Sequence, residues 1–252
     1  MGTAATPYRS FARVYDQPDH AEVARSFFAA VRGRIGRLDR AATLLDLGCG
    51  TGLLTEQLAR TGRPVIGIDG SREMLAIARV RCRRFGRRVR LLAADFCRLE
   101  GQRDCGAAVA CADVVNHLRS ARALSGMFRS AHRALAPGGF FAFDTLNAFC
   151  FESYWNDRTY YMEGPAGGLV MECSWDRARK LGRARMIAYA RNSGGSFVRR
   201  ETILEEQLHD DRKIAALLRA AGFSRVRREP WSPWDDQHLE PSLDRNLWWA
   251  EK

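Results

Sequence analysis

Leu44-Leu45-Asp46-Leu47-Gly48-Cys49-Gly50-Thr51-Gly52 is the stretch from which the fold is read. It opens as a short apolar run with strand character and turns on three alternating glycines. It then enters Leu53 to Arg60, whose apolar spacing is helical and which Gly62 closes. Glycine at 48, 50 and 52 lets the chain turn tightly and lets a ligand approach the backbone without side-chain obstruction. A strand, a glycine turn and a helix in direct succession predict the first unit of an α/β sheet, with a ligand at the turn.

The alternation continues outward. Val65 to Ile68 reads as a second strand ending at Asp69, and Ser71 is placed to cap a helix from Arg72 to Arg84. Val89 to Ala94 is a third strand, followed by Asp95 and Phe96, and Ala107 to Ala112 is a fourth. Ser120 can cap a helix with Leu124, Met127, Phe128, Ala131 and Leu135 on one face. Pro137-Gly138-Gly139 predicts a turn and Phe140 to Phe143 a fifth strand. On the N-terminal side, Tyr8 and Tyr15 precede an amphipathic helix from about His20 to Leu38. Such alternation predicts a mostly parallel sheet with helices on both faces. Right-handed crossovers then bring the C-terminal ends of the strands to one edge, where ligands bind.

Between Phe149 and His209 the alternation stops. Leu169 to Trp175, Arg185 to Tyr189 and Phe197 to Leu208 read as antiparallel strands, with Asn192-Ser193-Gly194-Gly195 as a turn. A helix from Asp211 to Ala221, a strand from Ser224 to Glu229, a Pro/Trp-rich loop and a strand from Leu247 to Glu251 complete the chain. The expected organisation is an N-terminal lid and helix (1–40), a core (41–148 with 210–252), and a β-rich substrate-binding cap (149–209).

A chain of 252 residues suffices for one such domain with a small insertion. No apolar run approaches the ~18 residues of a membrane span, and the start lacks a signal-peptide pattern, so a cytoplasmic protein is expected. The seven cysteines form no CxxC pair and no His/Cys cluster with ligand spacing, so they read as buried thiols and no metal is expected. The net charge of +11 is almost all arginine, since only Lys180, Lys213 and Lys252 are lysines. Such charge could serve nucleic acid, an acidic carrier or a phosphorylated substrate; its plainer reading is a solvated arginine surface. With no separate nucleic-acid-binding domain or stacking module, nucleic acid is not the expected partner. A monomer or a homodimer is expected.

Asp69, at the end of the second strand, can accept hydrogen bonds from ribose hydroxyls. A dinucleotide loop would carry its third glycine one position later, where this chain has Leu53. Acidic Asp46 beside the loop suits a cationic, amine-bearing ligand better than a pyrophosphate. These features favour S-adenosylmethionine over NAD.

The runs LLDLGCGTG (44–52), VIGIDGSREML (65–75), AADF (93–96) and LAPGGFFAFD (135–144) resemble the successive motifs of class I methyltransferases. The likeness covers about residues 43 to 145, and the last two strands resemble that family's antiparallel closing hairpin. It implies a Rossmann-like seven-stranded sheet using S-adenosylmethionine and releasing S-adenosylhomocysteine. Gly48, Cys49, Gly50 and Gly52 would line the methionine part of the cofactor, with Asp46 near its amino group. Asp69 and Gly70 would meet the ribose. Met74 would pack on the adenine, whose edge meets Asp95 and the Phe96 backbone, and Cys111 and Ala112 would flank the methionine end. YRSFARVYD (8–16) resembles the lid of small-molecule members, with Tyr15 facing the cofactor.

On the acceptor side, His117 just past the fourth strand is the candidate general base, its alternative being a packing histidine. Asp144 and Asn147 follow the fifth strand and could position substrate or simply cap turns. Trp155 and Tyr160, among the aromatics Phe151, Tyr154, Tyr161 and Trp175, could line a pocket or fill the core of the cap. His209 is a second candidate base. Trp231 opens the loop to His238, which could wall the site. The Asn/Asp-Pro-Pro-Tyr/Phe motif for exocyclic amines of bases is absent, its place taken by Ala112-Asp113-Val114-Val115. The expected activity is methyl transfer to an O or N atom of a small-molecule acceptor. An RNA- or protein-directed methyltransferase and a non-catalytic binding protein are the alternatives.

Overall fold

A computed structural model of the chain describes residues 12–16, 18–164, 166–192, 194–234 and 244–252. Tyr8 and positions 235 to 238, singled out above, lie outside them. The apolar runs become β1 (Thr43–Leu47) and β2 (Val65–Asp69), each leading into a helix, α2 (Leu53–Arg60) and α3 (Arg72–Cys82). Ser71 Oγ accepts the Met74 N–H at 3.2 Å, satisfying one of the donors that a helix start leaves over. β3 (Val89–Ala93), β4 (Cys105–Ala110), α4 (Ala121–Ala134) and β5 (Leu135–Leu146) follow. After the second, smaller sheet come α6 (Asp211–Ala220), β10 (Ser224–Trp231) and β11 (Arg245–Glu251).

Seven strands form the main sheet in the order β10-β11-β5-β4-β1-β2-β3. β1 runs parallel to β2 and to β4, and β4 parallel to β5, whereas β11 is antiparallel to both β5 and β10. The order reverses between β1 and β4, so the segments leaving those two strands flank the crevice where such sheets take ligands. One face is covered by Leu124, Met127 and Phe128 of α4 with Ile214 and Leu218 of α6, packed on Phe141 and Phe143. On the other, Phe27, Val31 and Ile35 of α1 (Pro18–Gly36) pack with Leu54 and Leu58 of α2.

Several boundaries differ from the sequence reading, two of them for a visible reason. β5 begins at Leu135, because Pro137-Gly138-Gly139 is accommodated inside the strand as a register shift. Cys105 pairs with Leu135 and Ala107 already with Phe140. α3 stops at Cys82, and a 3₁₀ stretch with Gly86 at φ 56° carries the chain to Arg88.

The insertion starts as a short turn, α5 (Ala148–Cys150), continued by a π-helical turn over Phe151–Trp155. β6 (Arg158–Gly164), β7 (Gly167–Asp176), β8 (Leu181–Arg191) and β9 (Phe197–Gln207) then form an antiparallel meander. Its inner face, with Leu169, Ala184, Met186 and Leu204, packs on Phe151, Trp155, Leu146 and Val14. Its outer face is polar, with Arg185 bonded to both Glu172 and Glu201. The end of β9 is fastened to the main domain. Gln207 N–H donates to the Asn116 carbonyl at 2.8 Å, and Asn116 Nδ2 donates to the Gln207 carbonyl at 3.0 Å. This tie delivers Glu206, a residue of the second sheet, to the segment that follows β4.

Candidate active site

The turn after β1 holds Gly48, Gly50 and Gly52 at φ 74°, 52° and 85°. Gly48 is required twice over: its φ is left-handed, and a Cβ there would lie 2.7 Å from Val114 Cγ2. Asp69 ties the turn to the next one. Its Oδ2 accepts the Gly50 N–H at 2.9 Å and its Oδ1 the Ser71 N–H at 2.7 Å. Each oxygen keeps acceptor capacity, which suits ribose hydroxyls. Asp46 is buried beneath the turn, its Oδ2 accepting the Thr55 hydroxyl at 2.6 Å. Burial pushes its carboxyl up to about 7, with Thr55 opposing and the charge of Asp69 adding. A ligand ammonium would supply the counter-charge that this carboxylate lacks. Further along the same edge, Gly70 is exposed, Met74 is buried, and Phe96 packs partly against the core. Asp95 is exposed, its Oδ1 capping the Cys97 N–H at 2.8 Å.

Residues 12–16 are strapped across this turn. Asp16 accepts the Thr51 hydroxyl at 2.5 Å and pairs with Arg81, whose Nε donates to the Thr51 carbonyl at 3.0 Å. The strap carries Tyr15, whose ring stacks on His20 at 4.2 Å between centroids. Burial pushes the Tyr15 hydroxyl well up, and the charges of Asp113 and Cys111 push the same way. Tyr15 thus sits between the glycine turn and the end of β4.

At that end the backbone is strained. Ala112 and Asp113 are consecutive non-glycine residues at φ 65° and 54°, a conformation costing about 1–3 kcal/mol per residue unless its surroundings hold it. The surroundings here are ionic. Arg245 Nη1 donates to Asp113 Oδ1 at 2.7 Å and to Asp144 Oδ2 at 2.5 Å, and Asp144 Oδ2 also accepts the Asp113 N–H at 3.2 Å. His117 Nε2 stands 3.9 Å from Asp113 Oδ2 and 3.9 Å from Glu206 Oε1. Burial lowers the His117 pKa, against the pull of Asp113, so the ring is neutral near pH 7. Burial pushes Glu206 well above the carboxylate range, and Asp113 adds to it. Asp144 rises through burial to about 6, opposed by Arg245. Burial would also raise Asp113, but the Arg245 guanidinium wins and holds it below its ordinary value.

The structure therefore brings together Tyr15, Cys111, Ala112, His117 and Asp144 from the sequence reading. It places others elsewhere. Asn147 caps α5 through the Cys150 N–H at 3.1 Å. His209 lies 3.2 Å from the Val115 carbonyl through Nε2, bracing the segment rather than facing its cluster. Trp155 is buried in the core of the second sheet, against Phe151. Tyr160 packs on the same core and donates its hydroxyl to the Tyr154 carbonyl at 2.8 Å. Trp231 packs edge-on against Phe27 of α1, at 5.9 Å between centroids. Sequence reasoning missed Asp113, Glu206, Arg245 and His20. Asp113, His117 and Glu206 also set one donor atom each within 4.8 Å of one another.

Residues 44–139 match the family model described as a methyltransferase domain. The Bacillus subtilis protein YqeM is 32% identical over 157 residues, and that match spans 61% of this chain and 61% of its own length. An S-adenosylmethionine-dependent methyltransferase from Clostridium acetobutylicum superposes with a TM-score of 0.77 at 21% identity, covering 97% of this chain and 98% of that one. An amino pentose methyltransferase from Micromonospora echinaspora does so with a TM-score of 0.68 at 23% identity, covering 100% and 98%. With its glycine turn after β1, its strand order reversing between β1 and β4, and its antiparallel β11, the chain has the Rossmann-like fold of these methyltransferases, and its residues 44–139 match a methyltransferase domain.

Proposed function

We propose that the chain transfers a methyl group from S-adenosylmethionine to an O or N atom of a small-molecule acceptor. One arrangement carries the reading: a left-handed glycine turn tied to Asp69, with ionisable Asp46 beneath it. The sulfonium cofactor supplies an electrophilic methyl group, so the protein's own task is alignment and exclusion of water. The Tyr15 strap and the second sheet enclose the far end of β4, which suits a small acceptor better than a macromolecule. The amino pentose enzyme, of like architecture over its whole length, agrees with that. No described helix is long and apolar enough to cross a membrane.

Calorimetry with S-adenosylhomocysteine tests the reading, with binding expected in the range of ordinary enzyme ligands, ~1 μM to 1 mM. Asp69→Ala should weaken it about tenfold or more, since hydrogen bonds to a charged group contribute about 1.5–3 kcal/mol each. A chain that binds no S-adenosylhomocysteine rules the proposal out.

Asp46 adds a pH signature. Its carboxyl is raised in the fold, so its contribution to stability is present below the ordinary carboxylate pKa of ~3.9. That contribution is lost as pH rises toward about 7. An ammonium bound beside Asp46 favours the ionised form, so binding at about pH 6.5 should release up to one proton. Affinity should also fall as pH drops below that. Calorimetry in two buffers of different ionisation heat measures the proton. Release that persists in Asp46→Asn would assign it to another group.

A further inference from the structure

The outer face of the second sheet presents an apolar patch to solvent. Tyr161, Tyr189 and Ile203 are 64%, 38% and 44% exposed on it, and Val170 and Ile187 lie between them. Val14, Leu146 and Phe151, which pack on this sheet from outside its four strands, all meet its inner face. Exposed apolar patches of this kind mark interaction surfaces. We infer that this face docks a second copy of the chain, about a two-fold axis running along the strands between β7 and β8.

The strand register carries the inference. Glu172, Val170 and Gly168 of β7 stand beside Arg185, Ile187 and Tyr189 of β8. Tyr161 and Glu163 of β6 lie level with Glu201 and Arg199 of β9. An axis along the strands exchanges β7 with β8 and β6 with β9. Glu172 then faces the second copy's Arg185, Glu163 its Arg199 and Val170 its Ile187. Tyr189 faces Gly168 and the Tyr161 ring that leans over it, 3.4 Å from where a Gly168 Cβ would stand. Two-fold symmetry makes each contact twice. Aligned sheets about 10 Å apart, their strands within about 30° of one another, keep such residues opposed near the axis. The other in-plane axis, across the strands through Ile187, would set Glu201 against its own copy and Arg185 against Tyr189.

Partners within the chain leave room for these contacts. Arg185 donates to Glu172 from Nη1 and to Glu201 from Nε and Nη2, and Arg199 donates to Glu201. Each Nη of Arg185 keeps a second N–H, and a carboxylate accepts several bonds. The internal pairing also holds the patch close to neutral in a chain of net charge +11. A surface rich in arginine repels its own copy, and this face does not. At about 4.8 Å between strands and about 3.4 Å per residue, the four strands offer a flat footprint of roughly 600 Å². Side-chain relief brings that near the ~800 Å² per partner of a standard interface.

Sedimentation velocity on the full chain, from about 1 to 100 μM, should show a dimer with a dissociation constant in the micromolar range or below. Glu172→Arg sets arginine against arginine across the axis, and Arg185→Glu sets glutamate against glutamate. Each variant alone should raise the dissociation constant at least about 100-fold, with S-adenosylhomocysteine affinity unchanged. Mixed in equal amounts, the two should associate again, because each then meets its opposite charge on the other chain. A wild-type chain that stays monomeric overturns the inference. So does a dimer that survives both substitutions, or a mixture of the two monomeric variants that fails to associate. If either variant does not fold, Tyr161→Glu at an exposed position takes its place. It sets a carboxylate against Glu201 of the second copy and should also give a monomer, and a dimer that persists in it overturns the inference.

Discussion

Arg245→Met should lower stability by about 3–5 kcal/mol, the usual result of removing one partner of a buried ion pair. At about 2–4 °C per kcal/mol for a chain of this size, the melting temperature should fall by roughly 6–20 °C. The guanidinium is 11% exposed and bridges Asp113 to Asp144, whose side chain is fully buried. Without it, two carboxylates share a dry site, and the left-handed backbone at Ala112 and Asp113 loses the contact that holds it. The deficit should depend on pH with a definite sign. Asp144 already titrates high, at about 6, and losing Arg245 raises it further. The variant should therefore regain stability as pH falls and Asp144 takes up a proton, while the deficit is largest above pH 7. Arg245→Lys should recover only part of the loss, because one ammonium is a point charge and lacks the planar fork. Urea melts at about pH 5 and 8 measure the effect. A variant within a degree or so of wild type at both would mean that the bridge holds little of the fold together.

What the sequence made legible was whatever repeats with a period or is local. β1 through β4 and their helices showed as apolar runs, helical spacings and cap residues, and Asp46, the glycines and Asp69 all lie within two consecutive turns. β5 slid at its start because a strand that absorbs Pro137-Gly138-Gly139 carries the signature of a turn. The reacting end was legible only in part. His117 stood out because it follows a strand on the binding edge, and Asp144 because it stands near the end of β5, a strand that the sequence reading ends one residue earlier. Glu206 read as one more polar residue of an alternating strand, and Arg245 as one arginine in a chain full of them. Their roles come from long-range placement: β9 is docked through Asn116, and β11 lies antiparallel against β5, setting Arg245 opposite Leu146. Asp113 carried a usable signal, as an acidic residue directly after the fourth strand in the place of the missing Pro-Pro motif. Trp155 and Tyr160 read both ways in the sequence, since aromatics in a small sheet pack its core as readily as they line a pocket, and the structure packs both on that core.

His117→Ala and His117→Gln should each lower kcat by at least ~10²-fold at saturating cofactor, within the ~10²- to 10⁴-fold span of general-base catalysis. The ring is neutral near pH 7 because burial lowers its pKa against the pull of Asp113, so it reaches the reaction with a lone pair to offer. From the edge of the Asp113–Glu206 cluster it can take the proton that the attacking O or N gives up. A bound sulfonium cofactor would supply the methyl carbon that the nucleophile's electron pair attacks and would keep the carbon–sulfur pair on its sulfur. The proton rests on the imidazole until water removes it. Acid reverses the first condition: below its lowered pKa the ring is protonated, and Asp113, its ionised neighbour, holds that proton in place. Wild-type kcat should therefore fall on the acid side of the ordinary histidine pKa of ~6.5, and in His117→Gln that limb should disappear. Measuring kcat rather than kcat/KM, with cofactor saturating, keeps the titration of Asp46 out of the profile. Unchanged S-adenosylhomocysteine affinity in both variants separates a lost base from a disturbed cofactor site. Full activity with an unaltered profile would leave His117 as a positioning contact, and proton removal would then fall to solvent, or to no group at all if the acceptor enters as a neutral amine.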